Sequence, residues 1–244
     1  MQVANAFHRA HSYDRHATVQ RIVADRLADH ILTLQLPANP RVLEIGCGTG
    51  FLGAALIGRL SFAHYWMTDI APGMLDRARQ RFAEYDNIDF AMMDGAAPSV
   101  SGPFDLICSS LAMQWITDLP QVITRLRNLL SPDGRLIFTT LAAGSFATWR
   151  AAYGRAHPGT PDYPPVEALR ELGLNVSIDS VEHSYANARE FLSALKAIGA
   201  GTPRPDYRPL PPAQLRQIMA RFEAEGAKAD YVIATCLVGP AEAA

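Results

Sequence analysis

The sequence contains little cysteine and little charge, and it has no long apolar run. Its three cysteines, Cys47, Cys108 and Cys236, are far apart and form no CxxC pair, so neither a disulfide framework nor a zinc site is indicated. Each lies in an apolar segment, which favours a small buried residue over a reactive thiol. No stretch approaches the ~20 apolar residues of a membrane-spanning helix, and residues 1–14 lack the apolar core of a signal peptide. These absences predict a soluble, cytoplasmic protein without a metal and without a membrane partner.

The charges that are present are balanced in sign. Charged residues make up 19% of the 244 residues, and the formal net charge is −2. Nothing in the overall charge therefore favours a nucleic-acid partner. Hydrophobic residues make up 49%, which is enough to build a full core and argues against disorder. We expect one large domain that is monomeric.

Strand and helix signals alternate through the first 141 residues. Strand-like apolar runs cover residues 41–45, 63–68, 88–93, 104–109 and 135–141, and helical patterns cover residues 16–34, 51–60, 72–84 and 119–130. A turn is predicted at Pro-Asp-Gly, residues 132–134. The alternation predicts a parallel sheet covered on both faces. Two further strands, at residues 176–184 and 231–238, are predicted to complete the sheet, with helical insertions that form a lid.

A glycine-rich turn follows the first predicted strand. Residues 44–50 read Glu-Ile-Gly-Cys-Gly-Thr-Gly, and residues 48–53 also fit G-x-G-x-x-G. Such a turn lets a ligand approach the backbone at the start of a helix, and it serves both dinucleotides and S-adenosylmethionine (SAM). Glu44 favours SAM, because a carboxylate repels a pyrophosphate, whereas SAM has no phosphate and carries an ammonium and a sulfonium.

Acidic residues also end the second and third predicted strands. Asp69 follows the glycine turn by roughly 20 residues, where a carboxylate can accept hydrogen bonds from ribose hydroxyls. Asp94 and Gly95 end the third strand, and all these strand ends meet at the ligand-binding edge of a parallel sheet. Any one of these acids could instead be a solvated strand-end residue or a helix cap. The cofactor residues predicted on this basis are Glu44, Gly46, Cys47, Gly48, Gly50, Asp69, Asp94 and Gly95.

Several segments outside the glycine turn resemble one family. These segments are residues 7–17 with Gln20, residues 110–115 (Ser-Leu-Ala-Met-Gln-Trp), residues 138–141 with 144–146, and residues 195–200 (Leu-Lys-Ala-Ile-Gly-Ala). They resemble the malonyl-acyl carrier protein (ACP) O-methyltransferases of biotin synthesis, the BioC family. The glycine turn is shared by all class I methyltransferases. The Gln114–Trp115 pair and residues 195–200 are more specific to the family.

The resemblance implies a Rossmann-like class I methyltransferase fold of the α/β class. Its seven-stranded sheet is mostly parallel, with an antiparallel last strand and helical lid insertions. Residues 1–244 would form a single domain. Its parts would be an N-terminal helical lid segment (1–36), a SAM-binding core (40–141), a region of sheet completion with lid insertions (142–228) and the last strand (229–239).

The resemblance also implies the reaction, which is methylation of the free carboxylate of a malonyl thioester on ACP. SAM would be the cofactor, S-adenosylhomocysteine the product, and no metal would be needed. The acceptor carboxylate is already ionised at pH 7, so no general base is assigned. Tyr13, Gln114 and Trp115 are candidates to bind the malonyl group, and Lys196 or Arg150 to steer its carboxylate. The remaining residues implied at the cofactor are Tyr13, His16, Ile70, Met74, Ser110 and Leu111.

Structural alternatives stay open for each catalytic candidate. Tyr13 and Trp115 could serve packing, Gln114 could satisfy backbone groups, and the two cations could be surface residues. A basic dock for the acidic carrier protein is expected from Arg150, Arg155, Lys196, Arg204 and Arg208. Three other functions compete with this one: a trans-aconitate-like or quinone-type methyltransferase, an NAD-dependent oxidoreductase, and a non-catalytic cofactor-binding partner.

Overall fold

A computed structural model describes residues 17–154, 160–197 and 210–238. The strands are β1 (Arg41–Ile45), β2 (His64–Asp69), β3 (Ile88–Met92), β4 (Phe104–Ser110), β5 (Leu130–Leu141), β6 (Asn175–Ser184) and β7 (Lys228–Val238). The α-helices are α1 (Thr18–Ile31), α2 (Phe51–Leu56), α3 (Pro72–Arg81), α4 (Leu119–Arg127), α5 (Ala147–Tyr153), α6 (Val166–Arg170), α7 (Ala188–Ala197) and α8 (Pro212–Ala224). A short 3-10 helix covers Met113–Trp115. Within the described ranges, no helix is long and apolar enough to cross a membrane.

The seven strands form one sheet in the order β3-β2-β1-β4-β5-β7-β6. Strands β1 to β5 pair in parallel, and β7 pairs antiparallel with both of its neighbours, β5 and β6. The predicted seven-stranded, mostly parallel sheet with an antiparallel last strand is therefore confirmed. The order reverses between β1 and β4, and a crevice opens at such a switch point beyond the carboxyl ends of the strands.

Side-chain hydrogen bonds fix the carboxyl ends of the central strands against one another. The Thr68 hydroxyl donates to the Glu44 carbonyl oxygen (2.6 Å), and the Ser109 hydroxyl donates to the Ile45 carbonyl oxygen (2.8 Å). Both hydroxyl residues are fully buried. Beyond the strands, the Met93 amide donates to the Asp69 carbonyl oxygen (3.0 Å). The residues that follow β1, β2 and β3 are thus held in one arrangement.

Helix α1 covers one face of the sheet beside α2. Its residues Val19, Val23, Leu27 and Ile31 recur at four-residue spacing, and all are buried. This is the spacing that places apolar side chains on one side of a helix. Burial of that side stabilises the helix. A side-chain cap adds nothing at its N-terminus, because the N-cap residue, Ala17, makes no side-chain capping bond.

The C-terminal helices pack around an aromatic cluster. Trp149 of α5, Phe191 of α7 and Phe222 of α8 have ring centroids about 5 Å apart (4.9–5.3 Å), and all three are almost fully buried. Val19 of α1 and Leu111 belong to the same cluster of buried residues. The insertions of this half are therefore packed against α1 and against the residues that follow β4.

Several boundaries predicted from the sequence differ from the structure, and two of these differences have a clear physical reason. The predicted turn at residues 132–134 lies inside β5, which begins at Leu130. Phe104 of β4 pairs with Leu130 of β5, and Leu106 pairs with Arg135. Between these two pairs β5 advances five residues while β4 advances two, so Pro-Asp-Gly forms a bulge. Helix α2 ends at Leu56 rather than near residue 60, because Ile57 is extended and Gly58 has a φ of +82°.

Candidate functional site

A cavity of about 420 Å³ lies at the carboxyl ends of the strands. Residues from the glycine turn, from the ends of β2 and β3, from the segment after β4 and from α1 surround it. Its lining consists of Gln20, Ala24, Glu44, Ile45, Gly46, Cys47, Gly48, Thr49, Phe51, Leu52, Asp69, Ile70, Met74, Met93, Asp94, Gly95, Ala96, Ser110, Leu111, Ala112, Trp115, Ile116, Thr117 and Asp118.

The lining of this cavity is acidic. It includes four carboxyl side chains, those of Glu44, Asp69, Asp94 and Asp118, and none of the described lining residues is Lys, Arg or His. A pyrophosphate placed here would meet carboxylates without a compensating cation. A ligand that carries positive charge is favoured instead. Among the described residues, no group of three or more His, Cys, Asp or Glu is arranged to hold a metal ion.

The glycine turn passes close to its neighbours and leaves one position open. Gly46 has a φ of +67°, and a Cβ there would lie 2.4 Å from the Cβ of Ala112. Gly48 has a φ of +57°, and a Cβ there would meet no atom within 4 Å. The absence of a side chain therefore serves close packing at Gly46 and leaves free space in the cavity at Gly48.

Gly50, a predicted cofactor residue, is not among the residues that line the cavity. It is the N-cap of α2 with a φ of +86°, and a Cβ there would lie 2.4 Å from the Phe82 ring. Its visible role is to start the helix and to let Phe82 pack beneath the turn. Contact between Gly50 and the cofactor remains a prediction.

Asp69 links the glycine turn to the start of α3. Its Oδ2 accepts from the Gly48 amide (2.9 Å), and its Oδ1 accepts from the Ala71 amide (2.8 Å). Burial raises the pKa of Asp69, and the hydrogen bonds from the backbone amides oppose that effect. Each carboxylate oxygen has further acceptor capacity, which suits a pair of hydroxyl donors.

Glu44 lines the cavity and is 1% exposed. The hydroxyl of Tyr65, in β2, donates to its Oε2 at 2.7 Å. Burial raises the pKa of Glu44 to about 7, the hydrogen bond from Tyr65 lowers it, and the nearby Asp69 raises it. Glu44 is therefore a carboxyl group whose charge is poised to change near neutral pH.

The residues at the ends of β2 and β3 contribute Ile70, Asp94 and Gly95 to the lining, and helix α3 contributes Met74. Ile70 is 38% exposed and Met74 is buried, so together they offer an apolar wall. Oδ1 of Asp94 accepts from the Ala96 amide (2.9 Å). A Cβ at Gly95 would lie 2.6 Å from Cγ2 of Ile45, so this position needs glycine for packing.

The segment after β4 contributes Ser110, Leu111 and Trp115 to the lining. Leu111 has a φ of +49°, a strained conformation that is concentrated at functional sites. Its amide donates to Oγ1 of Thr139 (3.0 Å), and its carbonyl oxygen accepts from Nε2 of Gln114 (2.7 Å). Gln114 is not among the lining residues. Its amide therefore holds the turn, and its buried Oε1 has no partner among the described residues.

The two predicted steering cations lie apart from the lining. Nε of Arg150 donates to the Ser145 carbonyl oxygen (3.2 Å), and its Nη2 donates to the Pro161 carbonyl oxygen (2.6 Å). Its NH1 group lies 3.5 Å from Oδ1 of Asp162, so the guanidinium joins two backbone segments. Lys196 is exposed near the end of α7. Tyr13, His16, Arg155, Arg204 and Arg208 lie outside the described residues.

Sequence reasoning did not assign several lining residues. The most distinctive is Gln20 of α1, whose Oε1 is buried and has no partner among the described residues. Gln20 and Ala24 lie one helical turn apart on one side of α1. Their helical spacing is the sequence signal that could have placed both residues on the side of α1 that faces the cavity. Asp118 lines the cavity and also caps α4, where its side chain accepts from the Gln121 amide (3.0 Å).

Comparisons with known proteins agree with this geometry. The family described as "Methyltransferase domain" matches residues 43–136. The chain is 44% identical over 232 residues to the biotin biosynthesis bifunctional protein BioCD of Bordetella avium, and the match covers 92% of this chain and 49% of that protein. The chain thus spans about half the length of that relative.

In two further matches, the alignment covers most of this chain and most of the related protein. The chain is 40% identical over 227 residues to the malonyl-acyl carrier protein O-methyltransferase of Magnetococcus marinus, covering 89% of this chain and 84% of that protein. The crystal structure of the YcgJ protein of Bacillus subtilis superimposes with a TM-score of 0.60 at 15% identity, covering 87% of this chain and 96% of that one. The fold is thus that of the class I methyltransferases, and the chain belongs to the family of malonyl-acyl carrier protein O-methyltransferases.

Proposed function

We propose that this protein transfers the methyl group of SAM to the free carboxylate of a malonyl thioester carried by ACP. Similarity to the Magnetococcus enzyme over 84% of that enzyme's length carries the proposal. The acidic cavity at the switch point of the sheet supports it, since its lining suits a cationic cofactor. The product would be a methyl ester, which hides the charge of the carboxylate.

The described residues fit SAM in kind and position. The carboxylate of Glu44 suits the ammonium, and Asp69 suits the two ribose hydroxyls. Asp94 and Gly95 suit the adenine end. The open space at Gly48 allows the ligand to approach the backbone of the turn. When bound, SAM supplies an electrophilic methyl group on a sulfonium.

The protein's own contribution would be alignment and exclusion of water. A carboxylate acceptor is ionised at neutral pH, so the reaction requires no proton transfer. Trp115 is half-buried at the cavity and offers a wall against which the acceptor could be held. Holding two reactants in line supplies much of the rate enhancement in such transfers.

The free oxygen of Gln114 gives this residue a different role from the one that the sequence suggests. Oε1 is a hydrogen-bond acceptor, so it cannot bind a carboxylate. One N–H of its Nε2 donates to the Leu111 carbonyl oxygen, and the side chain is not among those that line the cavity. We infer that Gln114 contributes through the shape of the 111–115 turn rather than by a direct bond to the malonyl carboxylate.

The decisive experiment is mass analysis of ACP after incubation with SAM and the enzyme. Malonyl-ACP should gain one methyl group, and acetyl-ACP, which has no free carboxylate, should gain none. An Asp69→Asn variant should lose most of the activity if the cavity is the cofactor site. Methylation of trans-aconitate or of a quinone without any modification of malonyl-ACP would contradict the proposal.

A basic dock for ACP extends the proposal; of its two described members, Lys196 is exposed, whereas Arg150 bonds to Ser145 and Pro161. The double charge reversal Lys196→Glu/Arg204→Glu should raise KM for malonyl-ACP roughly tenfold through loss of electrostatic attraction, while Kd for SAM stays unchanged. The matched control is Arg127→Glu/Arg170→Glu, which reverses two exposed charges on α4 and α6. Equal weakening by both pairs, or equal loss of SAM binding, would remove the dock from this surface.

A further inference from the structure

Tyr65 touches Glu44 but does not line the cofactor cavity. Its hydroxyl lies 2.7 Å from Oε2 of Glu44, and its side chain is fully buried in the sheet face beneath α1 and α2. Tyr65 is therefore too deep to contact a ligand, whereas Glu44 lines the cavity. Any effect of Tyr65 on the cofactor has to act through Glu44.

No cation acts on Glu44 within the part of the chain that the structure describes, since Arg79 of α3 acts on Cys47 and pairs with Asp76 (3.0 Å). Asp69 lies at the end of β2, Cys108 lies in β4 with its Sγ 4.0 Å from the Tyr65 hydroxyl, and Cys47 lies in the glycine turn. Helix α1 contributes the neutral residues Gln20 and Ala24 to the cavity. Among the described residues, Tyr65 is the one hydrogen-bond donor to the Glu44 carboxyl group.

We propose that Tyr65 is a positioning residue for the cofactor: its hydroxyl holds Oε2 of Glu44, favours the ionised carboxylate and leaves Oε1 for the ammonium group of SAM. This inference rests on the proposed cofactor. The opposing forces are already visible at Glu44, because burial raises its pKa to about 7 while the hydrogen bond from Tyr65 lowers it. Without Tyr65, the neutral acid would prevail over a wider pH range.

Binding of the cofactor is then linked to release of a proton. A protonated Glu44 offers the ammonium no charge, so the proton passes to the buffer as the ligand binds. Affinity should fall by up to about tenfold for each pH unit below the pKa of Glu44. The amino group of the ligand loses its own proton near pH ~8, so the informative range lies below that value.

Calorimetric titration with S-adenosylhomocysteine between pH 5.5 and 8 tests the inference. This product carries the same ammonium group. The wild-type affinity should weaken as the pH falls below about 7. Tyr65→Phe, which preserves the ring and its packing, should shift this weakening to higher pH, with affinity roughly tenfold lower near pH 6.5 and converging on wild type as the pH rises. The matched control is Tyr85→Phe, at a tyrosine that is 42% exposed.

A second background separates positioning from packing. In Glu44→Gln, the acid limb of the pH profile should vanish, and adding Tyr65→Phe should change affinity by the same factor at every pH. Equal losses from Tyr65→Phe at every pH in the presence of Glu44, or a pH-dependent effect of Tyr65→Phe that persists in Glu44→Gln, would show that Tyr65 does not act through the charge of Glu44. Ligand binding with a flat wild-type profile would overturn this inference alone. Absence of binding at every pH would overturn the proposed cofactor and the inference with it.

Discussion

Three glycines of one turn have three different physical roles. Gly46 lets the turn approach Ala112, Gly50 lets Phe82 pack against the start of α2, and Gly48 leaves open space in the cavity. All three have positive φ, so the motif reflects a backbone requirement at each position. At Gly48 the open space points to a ligand as well.

Replacement of Gly48 by alanine should therefore weaken binding of SAM more than it weakens the fold. The positive φ costs about 1–2 kcal/mol for an L-residue, and the added methyl group enters the cavity. The matched control is Gly58→Ala, at a glycine with a φ of +82° and nothing within 4 Å of an added Cβ. Urea unfolding should show similar losses for both variants. SAM titration should show a roughly tenfold loss for Gly48→Ala alone, and equal affinities would contradict this interpretation.

The site residues that the sequence revealed are those tied to strand ends. Glu44, Asp69 and Asp94 lie at or just beyond the ends of three consecutive predicted strands, and the rule that parallel strands end at one edge brings them together. The strand-end rule did not predict Gln20 or Tyr65, for different reasons. Gln20 reaches the cavity only because α1 lies across the sheet, and Tyr65 looks like an ordinary core residue until its hydroxyl is seen beside Glu44.

The turn between β4 and the 3-10 helix is the element with the most evident backbone strain at the site. Leu111 adopts a φ of +49° while its amide is bonded to Oγ1 of Thr139 in the neighbouring β5. A leucine in this conformation persists only where the surroundings hold it. Thr139, which is 1% exposed, is one of the groups that hold it.

Thr139→Val should destabilise the protein by about 1–3 kcal/mol, because it leaves the Leu111 amide buried without an acceptor. The matched control is Thr235→Val, which alters the partly exposed β7 residue that pairs with Thr139. Chemical unfolding measures the difference, and methyl-transfer assays should show lower kcat for Thr139→Val. A loss no larger than that of the control would show that the hydroxyl does not hold the turn.

Arg150 tests whether the segment after β5 steers the acceptor or only holds the chain. Its guanidinium bonds to Ser145 and Pro161, so we expect Arg150→Gln to cost about 1–2 kcal/mol of stability with little change in KM for malonyl-ACP. Arg170→Gln, at an exposed ion pair on α6, should cost almost nothing. A rise in KM without any loss of stability would restore the steering role that the sequence suggests.

Reliance on local sequence signals explains why the predicted turn at residues 132–134 was wrong. Pro-Asp-Gly at residues 132–134 has the composition of a turn, yet β4 continues the pairing on both sides of it and converts it into a bulge. The pairing partner belongs to a separate strand that is distant in sequence, so no local pattern could reveal it. The antiparallel direction of the last strand was likewise implied by family resemblance and not by periodicity, and the position of β7 between β5 and β6 was not predicted.

At the scale of the whole molecule, the cofactor site is built at a cost to the empty fold. Glu44 is buried beside Tyr65, and no cation among the described residues acts on its carboxyl group. A buried carboxylate is unfavourable unless it is compensated, and in the proposed function the compensation is the ligand's ammonium. Stability and cofactor binding therefore make opposite demands on this one residue.

The variant Glu44→Gln should consequently stabilise the ligand-free protein in a pH-dependent way. The pKa of Glu44 is raised by burial from 4.5 to about 7 in the folded protein, so the folded state holds a proton that the unfolded chain releases. The resulting contribution is fully present below pH 4.5, declines as the pH rises and is lost above about 7, a difference of about 3 kcal/mol. The amide of the Glu44→Gln variant stays neutral at every pH and can still accept from Tyr65.

Urea unfolding should give similar stabilities for the two proteins at pH 4.5 and a more stable variant at pH 8. If saturating SAM is added at pH 8, the wild type should regain stability while the variant gains little. Parallel stability profiles for the two proteins would mean that Glu44 does not change its protonation state on folding.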